Sequence, residues 1–355
     1  MVEFLLKYKN KRVFITGHSG FKGSWLSYLL DKHGAKVKGF SLTPSSEPSL
    51  FNCLKYSSFF KSVIGDIRDF SLLQKELDSF KPDYVFHLAA QPLVLDSYRN
   101  PHETFTTNTL GTLNLIEAIR TGNYSTTVIV VTTDKVYENL ELNIPFKEED
   151  KLGGKDPYSA SKSAAEIIVH SYQKSFHESN DLRIASVRAG NVIGGGDWSE
   201  NRLIPDLIKA HFDRTKVEIR NPDATRPWQH VIEPLMGYLE LALALEEKPK
   251  ENQGAWNFGP ETNDVQSVRE IVEKSIKLGF NNQIEYGKPV VQEAKYLKLN
   301  ISKSTKRLNW KPIWNCETSI EKTLDWYKGF YLKKNANDLI MNDFNDYINE
   351  RKQLI

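Results

Sequence analysis

Three glycines at positions 17, 20 and 23 follow a short apolar run, Val13–Thr16, and precede a helical pattern carried by Trp25, Leu26, Leu29 and Leu30. No other feature restricts the fold as strongly. A strand that becomes a helix through Gly17-His18-Ser19-Gly20-Phe21-Lys22-Gly23 needs a tight turn, a close backbone approach and a helix packed hard against the sheet. Glycine serves all three needs. The N–H groups left open at such a helix start suit a pyrophosphate. Gly17, Ser19, Gly20, Phe21 and Gly23 are therefore candidate contacts to a dinucleotide cofactor.

The next elements continue the pattern. Val37–Leu42, Ser62–Ile64, Tyr84–Leu88, Val128–Val131 and Ile184–Val187 are short apolar runs. Helical periodicity separates them over Leu72–Phe80, Phe105–Arg120 and Ser159–Tyr172. Strands this apolar are covered on both faces, and strand–helix alternation gives right-handed crossovers in a parallel sheet. The expectation is an α/β fold: a Rossmann-type doubly wound parallel sheet with a smaller mixed α/β substrate domain. Proline and glycine punctuation thickens after Arg188. Residues 1–190, with 229–259 returning to them, are expected to form the dinucleotide domain. Residues 191–228 and 260–332 would form the second domain, and 333–355 a terminal helix or tail.

Composition excludes several classes. The chain has 355 residues, and 47 basic side chains nearly balance 45 acidic ones, so there is no whole-molecule field to attract nucleic acid or a membrane. Two cysteines, Cys53 and Cys316, cannot build a disulfide framework or a four-cysteine zinc site, and no metal is expected. They fit a reduced, cytoplasmic chain. No apolar run reaches the length of a membrane span, and Met1–Lys11 lacks a signal-peptide pattern.

Tyr158-Ser159-Ala160-Ser161-Lys162 places a phenol and an ammonium four residues apart on one helix face. A free phenol titrates near 10. An adjacent ammonium and a cationic cofactor favour the phenolate, which makes the pair suited to proton transfer beside a hydride transfer. Tyr28 and Lys32 share the same spacing, so spacing alone is a weak signal. We read that second pair as structural. Tyr158 differs because it follows the strand Val128–Val131 and its tail Thr132-Thr133-Asp134-Lys135-Val136-Tyr137.

Together these motifs resemble the extended short-chain dehydrogenases/reductases, and within them the nucleotide-sugar 4,6-dehydratases. Longer strings carry the likeness across nearly the whole chain: His87–Leu93, Arg188–Trp198, Arg226–Val231 and Trp256–Pro260. The resemblance implies Tyr158 as base, Lys162 as its partner and a holder of the ribose, and Thr133 as a hydroxyl for the substrate oxygen. Asp134 then occupies the place of the acid that protonates the hydroxyl leaving from carbon 6. Simple epimerases have no acid there. Most relatives follow it with Glu as the carbon-5 base; Lys135 stands here instead, which resembles the CDP-glucose branch and leaves the carbon-5 base open.

For the cofactor, the resemblance implies further contacts at Asp66, Ile67, Leu88, Ala89, Ala90 and Asn108. At the end of the second strand, where an acid usually holds the ribose, only Ser41 is offered. No arginine follows it for a 2′-phosphate, so NAD is preferred over NADP. For the substrate, CDP-glucose or a similar nucleotide sugar, it implies Gln91, Asn191 and Arg226 about the sugar and diphosphate, with Arg202 and Tyr296 toward the nucleotide. Relatives pair through helices that here would span about 103–120 and 158–174, giving a homodimer or homotetramer. The rival readings are another nucleotide-sugar dehydratase or epimerase and a non-catalytic cofactor sensor. A sensor would normally lack Tyr158 or Lys162.

Overall fold

The computed structural model describes residues 3–176, 182–281, 283–287 and 296–354. Six strands arise from the apolar runs: β1 (Arg12–Thr16), β2 (Lys36–Ser41), β3 (Lys61–Ile64), β4 (Tyr84–His87), β5 (Thr126–Val131) and β6 (Leu182–Ala189). Gly254–Phe258 joins them, and the seven-stranded order is Gly254–Phe258, β6, β5, β4, β1, β2, β3. Every pairing in this sheet is parallel. The central strands are buried on both faces, and all six residues of β5 are buried. That pattern explains their continuous apolar sequence.

Strand order reverses across β1 and β4, because β1 leads outward to β2 and β3 while β4 leads to β5 and β6. Ligands in open α/β sheets bind in the crevice outside the strand C-termini at such a point. The glycine loop leaves β1 there. The helix Phe21–Lys32 that follows is buried over most of its length, with Trp25, Leu26, Leu29 and Leu30 in the core.

A second core face is covered by Ile232–Glu247, which packs against β5 and β6. Smaller two-stranded pairs lie outside the main sheet, among them Lys216–Ile219 with Gln283–Tyr286. The chain closes with the helices Cys316–Tyr331 and Ala336–Leu354, which pack on each other. Ile340, Phe344 and Tyr347 of the last helix are buried. Among the described residues, no helix is long and apolar enough to cross a membrane.

One expected helix differs. Phe105–Arg120 is not continuous, because a π-helical turn, Thr106–Leu110, sits between Pro101–Phe105 and Gly111–Thr121. Thr106 spends its hydroxyl on the His102 and Glu103 carbonyls, and Gly111 lies so close to Ile67 that a Cβ there would come within 2.6 Å of it. Such single π turns recur at functional sites. This one carries Asn108.

Behind the sheet's C-terminal edge lies a buried ion pair. Arg188 Nε and one terminal nitrogen each donate to Glu166, both at 3.0 Å. The Thr132 and Ser186 hydroxyls donate to the same carboxylate, at 2.5 and 2.6 Å. Burial raises the Glu166 pKa, but Arg188 and these hydrogen bonds outweigh it and hold the group below its ordinary value. Its contribution to stability is therefore present above the carboxylate range and lost as pH falls through it. Glu166→Ala takes the carboxylate away from buried Arg188, which then keeps its bond to the Glu148 carbonyl at 3.1 Å but no counter-charge on that side, and is expected to cost about 3–5 kcal/mol in urea unfolding. Removing the half-buried Glu117, paired with Arg120 at the surface, is expected to cost about 1 kcal/mol or less as Glu117→Ala.

Candidate active site

The switch point opens into a cleft of about 690 Å³. Gly17, Ser19, Gly20, Phe21, Gly23, Ser41, Asp66, Ile67, Leu88, Ala89 and Ala90 line it, as do Thr133, Asp134, Lys135, Tyr158, Lys162, Gln91, Asn191, Arg202 and Arg226. Asn108 and Tyr296 are not among the lining residues.

The glycine loop has the geometry its spacing predicts. Gly17 has φ of +73°, and a Cβ on it would lie 2.6 Å from the Ala89 nitrogen. A Cβ on Gly23 would lie 2.0 Å from the Gly17 carbonyl oxygen. Gly20 caps the helix without a side-chain hydrogen bond, so the first N–H groups face the cleft unspent. Ser41 donates to Ser19 Oγ at 2.8 Å, and Ser19 donates to the Leu42 carbonyl at 2.8 Å. Asp66 is held by a two-point contact from Arg68, with Nε–Oδ1 at 2.9 Å, and the hydrogen bonds from Arg68 keep its carboxyl below the usual range.

Leu88–Ala90 is positioned by a chain of hydroxyls around buried His87. Thr112 donates to the Asn108 carbonyl at 2.7 Å, so its oxygen accepts from His87 Nε2 at 3.0 Å. Nδ1 must then accept from Thr16 Oγ1 at 2.7 Å, and the Ala89 N–H donates to that same hydroxyl at 3.2 Å. Burial holds His87 neutral, with its pKa lowered to about 3.

Asp156 caps the helix Pro157–Ser175 by accepting from the Ser159 N–H and hydroxyl at 2.9 and 2.6 Å. Pro157 stands at its first turn, where a missing N–H costs nothing. Tyr158 is thereby fixed at the helix start, nearly buried. Burial pushes its phenol up to about 12, against the hydrogen bond with Thr133 and the charge of Arg202. The sequence leads to the expectation that Lys162 lowers this pKa; in the structure its ammonium is engaged with the backbone instead. The Lys162 ammonium donates to the Val131 carbonyl at 3.0 Å, and Thr133 and Arg202 are the groups that favour the phenolate. Burial, with the nearby charge of Lys22, lowers Lys162 to about 8.

Asp134 is 2 % exposed. Its Oδ1 accepts from Thr133 Oγ1 at 3.1 Å, and among the described residues its Oδ2 has no hydrogen-bond partner. Burial raises its pKa to about 6, while Lys135, Thr133, Arg226 and Lys22 pull the other way. A carboxyl in that state is a proton donor near neutrality. Gly190 provides its space: a Cβ there would stand 3.0 Å from Oδ2.

The remaining residues divide. Asn191, Arg202 and buried Arg226 reach the cleft; Arg202 is paired with Asp197 at 3.1 Å. The side-chain amide of Gln91 turns into its own loop, bonded to Leu93 and Thr104. Asn108, fully buried, accepts from the Gln91 N–H at 2.8 Å and donates to the Gln91 carbonyl and Ser161 Oγ. It supports the cleft from behind. Tyr296 is anchored by its backbone to Asn139 and Glu141.

A family model described as GDP-mannose 4,6 dehydratase matches residues 14–323. The chain belongs to that family. It is 43% identical over 330 residues to the CDP-glucose 4,6-dehydratase of Salmonella typhimurium, covering 91% of this chain and 92% of that protein. It is 28% identical to UDP-glucuronate 4-epimerase 5 of Arabidopsis thaliana, over 90% of this chain and 76% of that protein. Among solved structures, the epimerase Mth375 of Methanothermobacter thermautotrophicus superposes with a TM-score of 0.82 at 24% identity, covering 93% and 96% of the two chains. The dTDP-glucose 4,6-dehydratase of Bacillus anthracis, solved with NAD, gives 0.75 at 24% identity, covering 90% and 96%. At that identity these two structures speak for the fold.

Within this dehydratase-family cleft, two residues of the glycine loop went unassigned in the sequence reading. His18 is fully buried beneath Gly39, where a Cβ would lie 2.2 Å from the ring. It bonds Ser62 at 2.7 Å and Ser41 at 3.1 Å, and burial lowers its pKa to about 4, so it links the loop to β2 and β3 as a neutral ring. The available signal was a glycine inside a strand pattern, which marks close approach. The other residue is Lys22, which lines the cleft. A lysine in the first turn of a phosphate-loop helix was its signal. Tyr28, by contrast, is buried against Tyr56 with Lys32 exposed, in keeping with a structural pair.

Proposed function

We propose that the chain is an NAD-dependent CDP-glucose 4,6-dehydratase, converting CDP-glucose to CDP-4-keto-6-deoxyglucose and water. One observation carries the reading: a buried carboxyl poised near neutrality, Asp134, beside Thr133 and Tyr158 in a glycine-loop cleft. Oxidation or epimerisation at carbon 4 has no use for such an acid. The 43% identity to the Salmonella enzyme supports the same assignment and the choice of cytidine.

The cleft fits a dinucleotide. The uncapped helix start and the close approach at Gly17 and Gly23 suit a pyrophosphate, and Ser41 and Asp66 stand at the ends of β2 and β3 for the adenosine half. When bound, NAD supplies reversible hydride acceptance. The chain's own residues do the rest. Tyr158 takes the proton of the carbon-4 hydroxyl, held by Thr133, as the carbon-4 hydride leaves. The resulting ketone acidifies carbon 5, whose proton goes to a base; Lys135, lining the cleft next to Asp134, takes that role in our reading as the free amine, since an ammonium has no lone pair to accept a proton. Asp134 gives its proton to the carbon-6 hydroxyl, which departs as water. Carbon 6 then receives the hydride and carbon 5 recovers a proton. Tyr158 releases the proton it took and Asp134 regains one, by exchange with solvent, so the cycle closes with one water lost and no net oxidation.

Arg226 and Asn191 hold the diphosphate in this reading, and Arg202 the nucleotide. The two-domain division about residue 190 belongs to it as well. So does pairing through Pro101–Thr121 and Pro157–Ser175, whose exposed Phe105, Leu110 and Ile167 suit a helix–helix contact. The free thiols Cys53 and Cys316 suit a cytoplasmic setting.

Gly17→Ala forces a left-handed residue and a clash with Ala89, and is expected to weaken NAD by about tenfold or more in calorimetry. The assignment itself is tested by incubating the chain with NAD and CDP-, dTDP-, UDP- or GDP-glucose and weighing the products. CDP-glucose losing one water supports it. Loss of water only from another nucleotide overturns cytidine, and conversion without mass change overturns dehydration.

A further inference from the structure

Lys22 stands where a cation is costly. It is the second residue of the helix Phe21–Lys32, and a helix N-terminus favours anions and disfavours cations. Side chains in a first turn lean back toward the N-terminus, here toward the glycine loop and the cleft that Lys22 lines. Among the described residues, no carboxylate lies within ion-pair distance of it. The two acids whose charge it feels are Asp134 and Asp197, and Asp197 is already paired with Arg202. Burial and the repulsion of Arg202 lower its pKa to about 8, and it acts in turn on Lys162. A half-buried ammonium that lacks a carboxylate partner and stands among other cations is unfavourable unless an anion joins it.

The reading above, on which this inference rests, brings two diphosphates into one cleft. The cofactor's lies at the glycine loop, on the side of Lys162; the nucleotide sugar's lies on the side of Arg202 and Arg226. Lys22 is within electrostatic reach of Lys162 and of Arg202. We propose that Lys22 is a counterion shared by the cofactor pyrophosphate and the substrate diphosphate, and that it couples the binding of the two. Two diphosphates brought close together repel each other. A common cation offsets that repulsion, and linkage makes the effect equal in both directions.

Calorimetry on the full chain tests this, with NAD and CDP titrated singly and each in the presence of the other. CDP is the diphosphate probe because it is not turned over. In the unmodified chain, saturation with NAD is expected to leave CDP affinity within about threefold. In Lys22→Met, the same saturation is expected to weaken CDP by about tenfold, with the reciprocal loss for NAD. Lys22→Arg should bring the effect of NAD on CDP affinity back to within about threefold. If Lys22→Met lowers both single affinities but leaves the coupling unchanged, or alters nothing, the proposal is overturned while the assignment stands. If the unmodified chain binds neither NAD nor CDP, the assignment fails and the proposal fails with it.

Discussion

Tyr158→Phe is expected to lower turnover by roughly a hundredfold to ten-thousandfold, the usual worth of a positioned acid–base group. The variant should keep its fold and its affinity for NAD, because it loses one oxygen from a side chain held by the Asp156 cap and by packing. Single-turnover kinetics locates the loss: no reduced cofactor should form, since proton removal from the carbon-4 hydroxyl accompanies the first hydride transfer. Burial holds the phenol up to about 12, so it is protonated at neutral pH. Any ligand that brings positive charge beside it lowers that value. The tyrosine's ultraviolet titration should therefore move to lower pH when NAD binds. Formation of reduced cofactor at the normal rate in Tyr158→Phe would remove Tyr158 from the first step.

Asp134→Asn should separate the two halves of the reaction. Carbon 4 is oxidised, but the carbon-6 hydroxyl has no proton donor, so reduced cofactor accumulates and product formation falls by roughly a hundredfold or more. The pH dependence has a definite sign. Burial raises Asp134 to about 6, so the protonated acid dominates below that value and declines about tenfold per pH unit above it. Elimination measured in single turnovers should fall on that limb in the unmodified chain and become flat in the variant. The same shift bears on stability. A carboxyl raised on folding binds its proton more tightly in the folded chain, so stability declines as pH rises from the ordinary carboxylate range through about 6. Asn at this position removes that penalty, and Asp134→Asn should melt higher than the parent at neutral pH. A variant that is inactive and also destabilised would point to a structural role.

The parts of this site legible in the sequence are those whose geometry is local. Gly17, Gly20 and Gly23 announce a turn and a close approach whatever surrounds them, and Tyr158 with Lys162 shares a helix face by spacing alone. Thr133 and Asp134 are legible because a strand end delivers consecutive residues to one edge of the sheet. What escaped depends on contacts between distant segments. The π turn at Thr106–Leu110 runs into the point where Gly111 meets Ile67, a contact with no trace in helical periodicity. It places Asn108 behind the Gln91 loop, outside the cleft. Gln91 spends its amide on Leu93 and Thr104, separations of 2 and 13 residues that composition cannot rank. Lys162 donates to Val131, 31 residues away, and the group acting beside Tyr158 is Thr133. His18 fits beneath Gly39 because two residues in different elements are complementary in size.

The account turns on one hydride leaving carbon 4 and returning to carbon 6 of the same sugar while Asp134 releases water. CDP-glucose carrying deuterium on carbon 4, incubated with the chain and unlabelled NAD, measures this directly when mixed with unlabelled substrate. The predicted product is lighter by one water, with the deuterium on carbon 6 and no exchange between sugar molecules. Retention of the deuterium on carbon 4, or an inverted sugar of unchanged mass, would contradict it.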